Sequence, residues 1–225
     1  MDDYLSEREQ IDSLRGAVKE NAPWALAAVL IAAAVILGWQ QYQGWRQRQS
    51  VTANQKYTAT LEALSRADKA TAVKIIDELH ADYGRTPYPD LATLAYVRFE
   101  VATNELADAA KRLEDVMQNA RDPELRIVAR LRLARVERAQ GKPDLALATL
   151  AGAPTGTSTA AFTEVKGDAL ADKGDKAGAL AAYREALEAK MPGLVNRELV
   201  ELKIAALGKV TPAATPAAVV PTGKP

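Results

Sequence analysis

Cysteine is absent from the 225 residues, which excludes disulfides, thiolate nucleophiles and thiolate-bound metals. Histidine occurs once, as His80, and one imidazole at a helix end beside Asp82 reads as a solvated side chain rather than half of a metal or catalytic pair. An excess of charge is missing as well. The 29 basic residues equal the 29 acidic ones, so nothing in the overall balance points to nucleic acid or to a polyanionic substrate. Runs with the two-residue alternation of a half-buried strand do not occur, alanine is abundant, and the soluble part reads as all-α. No Gly-rich phosphate loop follows a strand, and Gly141-Lys142-Pro143-Asp144 and Gly174-Asp175-Lys176 read as inter-helix turns. The neighbouring acids Asp68, Asp77, Glu78, Glu114 and Asp115 fall on polar helix faces, with no strand scaffold to hold two of them at catalytic distance. The chain is therefore read as non-enzymatic, with no catalytic residue, no metal and no cofactor assigned.

One long run stands out against this background. Asn21 to Trp45 carries no charged side chain, and Ala25 to Leu37 consists only of Ala, Leu, Val and Ile. As a helix this uncharged stretch spans ~30 Å or a little more at ~1.5 Å per residue, about the hydrocarbon thickness of a bilayer. All three tryptophans sit at its edges, Trp24 on one side and Trp39 and Trp45 with Tyr42 on the other, where amphipathic rings favour the headgroup zone. A buried soluble helix is the alternative, and the low transfer energy of alanine is what favours it. A cleaved signal peptide fits less well, because Asp2, Asp3, Glu7, Glu9, Asp12 and Glu20 fill the leader and no small-x-small site comes after Gly38-Trp39. Residues 1–22 are accordingly read as a polar leader and 23–45 as an uncleaved transmembrane anchor. Tyr4, Leu5, Ile11, Leu14 and Val18 predict an amphipathic helix running up to Pro23, which would open the membrane helix at a tolerated first-turn position. Arg8, Arg15 and Lys19 before the run match Arg46, Arg48 and Lys56 after it, so the positive-inside count leaves the orientation open.

Beyond the anchor, residues 46–208 form the predicted repeat domain. Val51 to Leu64 keeps helical spacing, with nothing stronger than Gly44 separating it from the anchor, and Ala67-Asp68-Lys69 makes a turn. Ala72, Val73, Ile76 and Leu79 carry a second helix to Tyr83-Gly84. Pro87 and Pro89 break the chain, and Asp90 is expected to cap the next helix. From there the sequence repeats. Leu94 to Asn104 aligns with Leu131 to Gly141, each a helix closed by a residue that tolerates left-handed geometry. Five residues on from these turns come Ala109 and Ala146, and nine on come Leu113 and Leu150. A third copy runs through Gly167, Leu170, Gly174, Ala179, Tyr183, Ala186 and Leu187, closed by Met191-Pro192. The turns lie 141 − 104 = 37 and 174 − 141 = 33 residues apart, near the ~34 of a tetratricopeptide repeat. In such a stack the small residues Ala109, Ala146, Gly167 and Ala179 sit where helices approach closest, and Leu113, Leu150 and Tyr183 fill the gap to the next hairpin. Ala72, Ile76 and Leu79 mark a degenerate pair ahead of these, and stacking predicts a short superhelix with a concave groove. Residues 152–159 read as a loop with Ser158 or Thr159 as N-cap. A last helix is expected to turn Leu194, Val195, Leu199, Leu202, Ala205 and Ala206 inward and Arg197, Glu198, Glu201 and Lys203 outward, capping the stack. Residues 209–225, rich in Pro, Ala and Thr, are expected to be disordered.

Arg98 and Arg135 occupy equivalent places in consecutive first helices, Arg138 lies one turn beyond Arg135, and the third copy places Asp168 at the same position. These four are the candidate groove-binding residues. The arginines could supply bidentate donors to carboxylates or backbone carbonyls of a bound chain, with Asp168 making the groove bipolar; the alternative is an exposed face that merely solubilises its helix.

Taken together, the acidic leader, the Trp-flanked membrane helix, the degenerate repeats and the capping helix resemble the ancillary SecYEG translocon subunit family (YfgM-type) over roughly residues 6–207. The matching stretches are Asn104-Glu105-Leu106-Ala107-Asp108-Ala109-Ala110, Leu131-Arg132-Leu133-Ala134-Arg135-Val136 and Gly167-Asp168-Ala169-Leu170-Ala171-Asp172-Lys173-Gly174-Asp175-Lys176. The tail after Gly208 departs from the pattern. The resemblance implies a single-pass inner-membrane protein with a cytoplasmic amino terminus and a periplasmic repeat domain. It also implies association with the SecYEG translocon and a PpiD-type periplasmic chaperone, assisting secreted client polypeptides as they emerge, with no catalytic residues. A scaffold for cell-envelope or division assembly would use the same architecture.

Overall fold

The computed structural model describes residues 7–152, 159–188 and 195–208, with side chains described for Trp24 and, apart from Thr159, from Leu26 onward. Among these residues there are nine α-helices and no strand. Contacts divide the chain into two compact units, one ending at Gln55 and the other beginning at Lys56. Residues 1–6, Ser158, Met191-Pro192, Leu194 and the tail from 209 to 225, on which several expectations rested, lie outside the described residues.

The first unit consists of one helix, α1 (Glu7–Ser65), whose last turns belong to the second unit. It is long and apolar enough to cross a membrane, and none of its apolar window is buried. Leu30, Ile31, Val35 and Leu37 are each more than 60 % exposed, the opposite of what a soluble core helix would show. At the far edge Trp39, Tyr42 and Trp45 form a ladder with ring centroids 6.2 Å apart at each step, and Arg46 lies 5.9 Å from the Tyr42 ring. The expected start at Pro23 is corrected, since α1 passes through that residue without interruption. Proline costs a helix interior about 3 kcal/mol through one lost hydrogen bond and a clash.

The second unit is a stack of helical hairpins. Its elements after α1 are α2 (Lys69–Tyr83), α3 (Tyr88–Ala102), α4 (Leu106–Asn119), α5 (Pro123–Ala139), α6 (Pro143–Ala151), α7 (Thr159–Asp172), α8 (Lys176–Glu188) and α9 (Arg197–Gly208). Four turns join helices within hairpins, and each places one residue in the left-handed region: Ala67 at φ 57°, Asn104 at 63°, Gly141 at 73° and Gly174 at 83°. Each turn also closes with the same pair of backbone bonds. The residue after the turn donates five positions back, as in Asp68 N to Ala63 O (2.9 Å), Glu105 N to Glu100 O (2.7 Å), Lys142 N to Glu137 O (2.9 Å) and Asp175 N to Leu170 O (2.9 Å). This is the Schellman arrangement, which satisfies carbonyls that a helix end leaves orphaned. The degenerate first pair is thus a true hairpin, made of the last turns of α1 and α2, and its turn lies 104 − 67 = 37 residues before the next.

Local chemistry fixes the remaining ends. Asp68 Oδ1 caps α2 by accepting from Thr71 N at 3.0 Å, and Asp122 Oδ1 caps α5 by accepting from Glu124 N at 2.9 Å with Pro123 at the first helical position. Asp90 does not cap α3, contrary to expectation. The helix begins earlier, at Tyr88, and Asp90 lies inside the first turn, because a first turn needs no N–H donor and so accommodates Pro89.

The four positions five residues after each turn, Ala72, Ala109, Ala146 and Ala179, are all 0 % exposed. The four positions nine after, Ile76, Leu113, Leu150 and Tyr183, are buried beside them. The cores are shared between neighbours rather than confined to one hairpin: Leu94, Leu113 and Leu133 meet across α3, α4 and α5, while Leu150, Phe162 and Val165 join α6 to α7. Gly167 receives the Tyr183 ring so closely that a Cβ there would lie 2.6 Å from it. On α9 the buried face is Val200 with Ile204 and Leu207, while Leu199 and Leu202 are exposed and Lys203 points inward, which corrects the expected facing of this helix. The acids of α7 draw Lys203 in, and the i, i+4, i+7 row of Val200 is carried with it onto α7 and α8.

Candidate functional site

Because consecutive hairpins share one register, a residue six places before each turn recurs on the same side of every first helix. That place holds Leu61, Arg98, Arg135 and Asp168. Arg98 on α3 and Arg135 on α5 are exposed, and the charges of both act on Arg132, one turn before Arg135. Arg132 donates from Nη1 to the Leu94 carbonyl at 3.3 Å, tying α5 to α3. Burial lowers the Arg132 pKa, and the charges of Arg135 and Arg98 lower it further. No carboxylate is paired with any of the three among the described residues. Arg132 escaped the sequence reading, although its place one turn from Arg135 was the available signal.

Arg138 and Asp168 are brought together instead. Arg138 donates from Nη1 to Asp168 Oδ2 and from Nε to Asp172 Oδ2, both at 2.8 Å. Lys203 of α9 reaches Asp168 Oδ1 at 2.7 Å and Glu164 Oε1 at 2.8 Å, and the Tyr183 hydroxyl donates to Asp168 Oδ1 at 2.7 Å. Two cations and three carboxylates therefore bind α5, α7, α8 and α9 to one another. Burial, and then the acceptor Asp168, push the Tyr183 hydroxyl pKa up. This network borders a cleft of about 430 Å³ through Arg138 and Asp172, lined further by Arg135, Ala139, Gly141 and Pro143.

Two carboxylates lie within the hairpins. Glu100 and Glu137 occupy the position four before the turn, taken in the outer hairpins by Ala63 and Leu170, and are 1 % and 5 % exposed. Glu100 Oε1 accepts from Arg112 Nε at 2.9 Å, the Arg112 guanidinium lying 4.7 Å from the Tyr96 ring, and Glu137 accepts from Thr149. Glu100 Oε2 and Glu137 Oε2 have no hydrogen-bond partner among the described residues. Burial raises the pKa of both acids, against the opposing effects of Arg112 and Thr149.

His80 Nε2 lies 3.0 Å from Thr93 Oγ1, and that hydroxyl donates to the Pro89 carbonyl, so it receives the imidazole N–H. Among the described residues no three His, Asp or Glu side chains gather to hold a metal.

A family model described as a tetratricopeptide repeat-like domain matches residues 18–209. Among curated proteins the chain is similar to the ancillary SecYEG translocon subunit of Escherichia coli (strain K12), 27 % identical over 204 residues, which covers 91 % of this chain and 98 % of that one. The protein of the same description from Neisseria gonorrhoeae is 27 % identical over 205 residues, 91 % of this chain and 98 % of its own. That of Aggregatibacter actinomycetemcomitans is 24 % identical over 200 residues, 89 % and 97 %. No solved structure matches. The resemblance read from the sequence is borne out by these relatives, as is the all-α repeat architecture by the helices and their turns.

Proposed function

The chain belongs to the tetratricopeptide repeat-like domain family, and on that footing we propose that it is a non-catalytic, single-pass inner-membrane protein acting at the SecYEG translocon. The observation that carries the reading is the pairing, in one chain, of an apolar helical stretch none of which is buried with a stack of hairpins in which Arg98 and Arg135 have no acid partner among the described residues. Tethering restricts such a surface to the plane of the membrane and raises its effective concentration for whatever crosses there. The relatives' description, ancillary SecYEG translocon subunit, supplies the translocon as the crossing point.

In this reading residues 1–22 lie in the cytoplasm, residues 23–45 span the membrane, and the repeat domain from 46 to 208 works in the periplasm. There it engages a PpiD-type chaperone and emerging client chains, with Arg98 and Arg135 at the binding surface. Two experiments test it. Full-length protein extracted in mild detergent should co-purify with SecYEG channel subunits, and its absence from preparations in which the channel itself stays assembled would refute the translocon assignment. A topology reporter fused after Leu207 should be active in the periplasm; activity confined to the cytoplasm would reverse the orientation.

A further inference from the structure

Three guanidinium groups set beside one another with no acid among them are an unfavourable local arrangement, and the repeat register explains how it arises but not what neutralises it. Arg98 and Arg135 come from adjacent first helices, whose axes in such packing lie ~8–10 Å apart. Arg132 reaches from α5 to the Leu94 carbonyl, one turn before Arg98 on α3. The cluster is sharply bounded. Toward α7 the charges are already neutralised, since Arg138 is taken by Asp168 and Asp172, and toward α1 the same register position is Leu61, uncharged and 40 % exposed. From Arg135 the surface continues into the cleft beside Ala139, Gly141 and Pro143.

We propose that Arg98, Arg132 and Arg135 form a binding site for an acidic polypeptide segment, one with at least two carboxylates about one inter-helix spacing apart. This deepens the translocon reading and rests on it for the source of the segment. A guanidinium meets a carboxylate through two parallel N–H donors, so three of them carried on two neighbouring helices set a spacing for the carboxylates of a bound chain. A charged membrane surface or a nucleic acid asks for a broad field of cations, and here the cations end within two helices and the chain as a whole is neutral. Carboxylates spaced along a peptide match that narrow footprint. Occupancy would also offset the charges of Arg135 and Arg98, which add to the effect of burial in lowering the Arg132 pKa.

The test uses full-length protein in non-ionic detergent and three fluorescent probes: a Glu-rich peptide of about eight residues, a Lys-rich peptide of equal length, and a single-stranded oligonucleotide. Only the Glu-rich peptide should bind, with affinity falling as salt is raised. The exposed pair Arg98→Gln and Arg135→Gln together should weaken it at least tenfold while leaving the thermal melt unchanged. Arg126→Gln, exposed on the same helix outside the trio, should leave binding intact. No binding by the parent, equal binding by the double variant, or oligonucleotide binding as tight as the peptide's would each overturn the site. Co-purification with the channel answers a separate question: peptide binding without it would leave the site standing and remove its assigned partner, and the converse would leave the partner standing and remove the site.

Discussion

Glu137 carries a testable pH signature. An acid whose folded pKa is raised holds its proton more tightly in the native state than in the unfolded one. The stability it contributes is complete below its unfolded value, near ~4.3, and is lost as pH rises through the folded value. Glu137→Gln, which fixes the neutral form and keeps the acceptor for Thr149, should therefore gain on the parent as pH rises from about 4 toward 7. Urea unfolding at both pH values checks this, and a constant difference between the two proteins would contradict it. At Gly167 the expected effect has the opposite sign to helix propensity. Alanine normally improves a helix interior by about 1 kcal/mol over glycine, yet Gly167→Ala should destabilise by about 1–3 kcal/mol because its Cβ would meet the Tyr183 ring. A calorimetric melt reads the sign directly. The glycine and tyrosine were legible in sequence because Tyr183 takes the place nine residues after its turn that Leu113 and Leu150 hold in the other copies, and Gly167 precedes the same turn as the small residue of the third copy. Glu100 and Glu137 were not, since a glutamate at helical spacing reads as solvent-facing, and only the Ala63 and Leu170 counterparts reveal that the position points inward.

At the scale of elements, the four turns share one conformation but not one residue type. Ala67 holds φ 57° with a Cβ, a conformation that costs about 1–2 kcal/mol for an L-residue other than glycine. Ala67→Gly should accordingly raise stability by up to about 1 kcal/mol once the extra freedom of the unfolded chain is subtracted, shifting the melt by a few degrees. Gly141→Ala should lower it by a similar amount. All four turns were visible in the sequence, that at Ala67-Asp68-Lys69 included, but an alanine does not announce a left-handed residue as Asn104, Gly141 and Gly174 do, so the conformation at Ala67 was not. The terminal helix α9 was visible too, but not its orientation. Leu199 and Leu202 look like core residues, yet docking on Glu164 and Asp168 through Lys203 selects the Val200 face instead. Lys203→Ala leaves Glu164 without its cation, while Asp168 keeps Arg138 and Tyr183, and should cost about 1–3 kcal/mol. Hydrogen exchange localises the effect: α9 amides should exchange faster in the variant, while those of α3 and α4 keep their protection.

For the whole molecule, the order of parts was readable because each has its own period or composition: an uncharged apolar run, then helices punctuated by turn residues every 33 or 37 positions. The continuity of α1 through Pro23 was not readable, since a proline marks a helix start as readily as an interior position that its surroundings tolerate. The direction in which the anchor crosses was not readable either, because equal numbers of nearby Lys and Arg flank it. What unites the parts is the claim that the anchor holds the repeat stack beside a protein-conducting channel. The most direct test is site-specific photo-crosslinking in intact cells from a probe at Ala139, an exposed residue lining the cleft next to Arg135. Crosslinks to SecYEG subunits, a channel-associated chaperone or chains in transit are the predicted result. Capture solely of division or envelope-assembly proteins, with none of the secretion machinery, would contradict it.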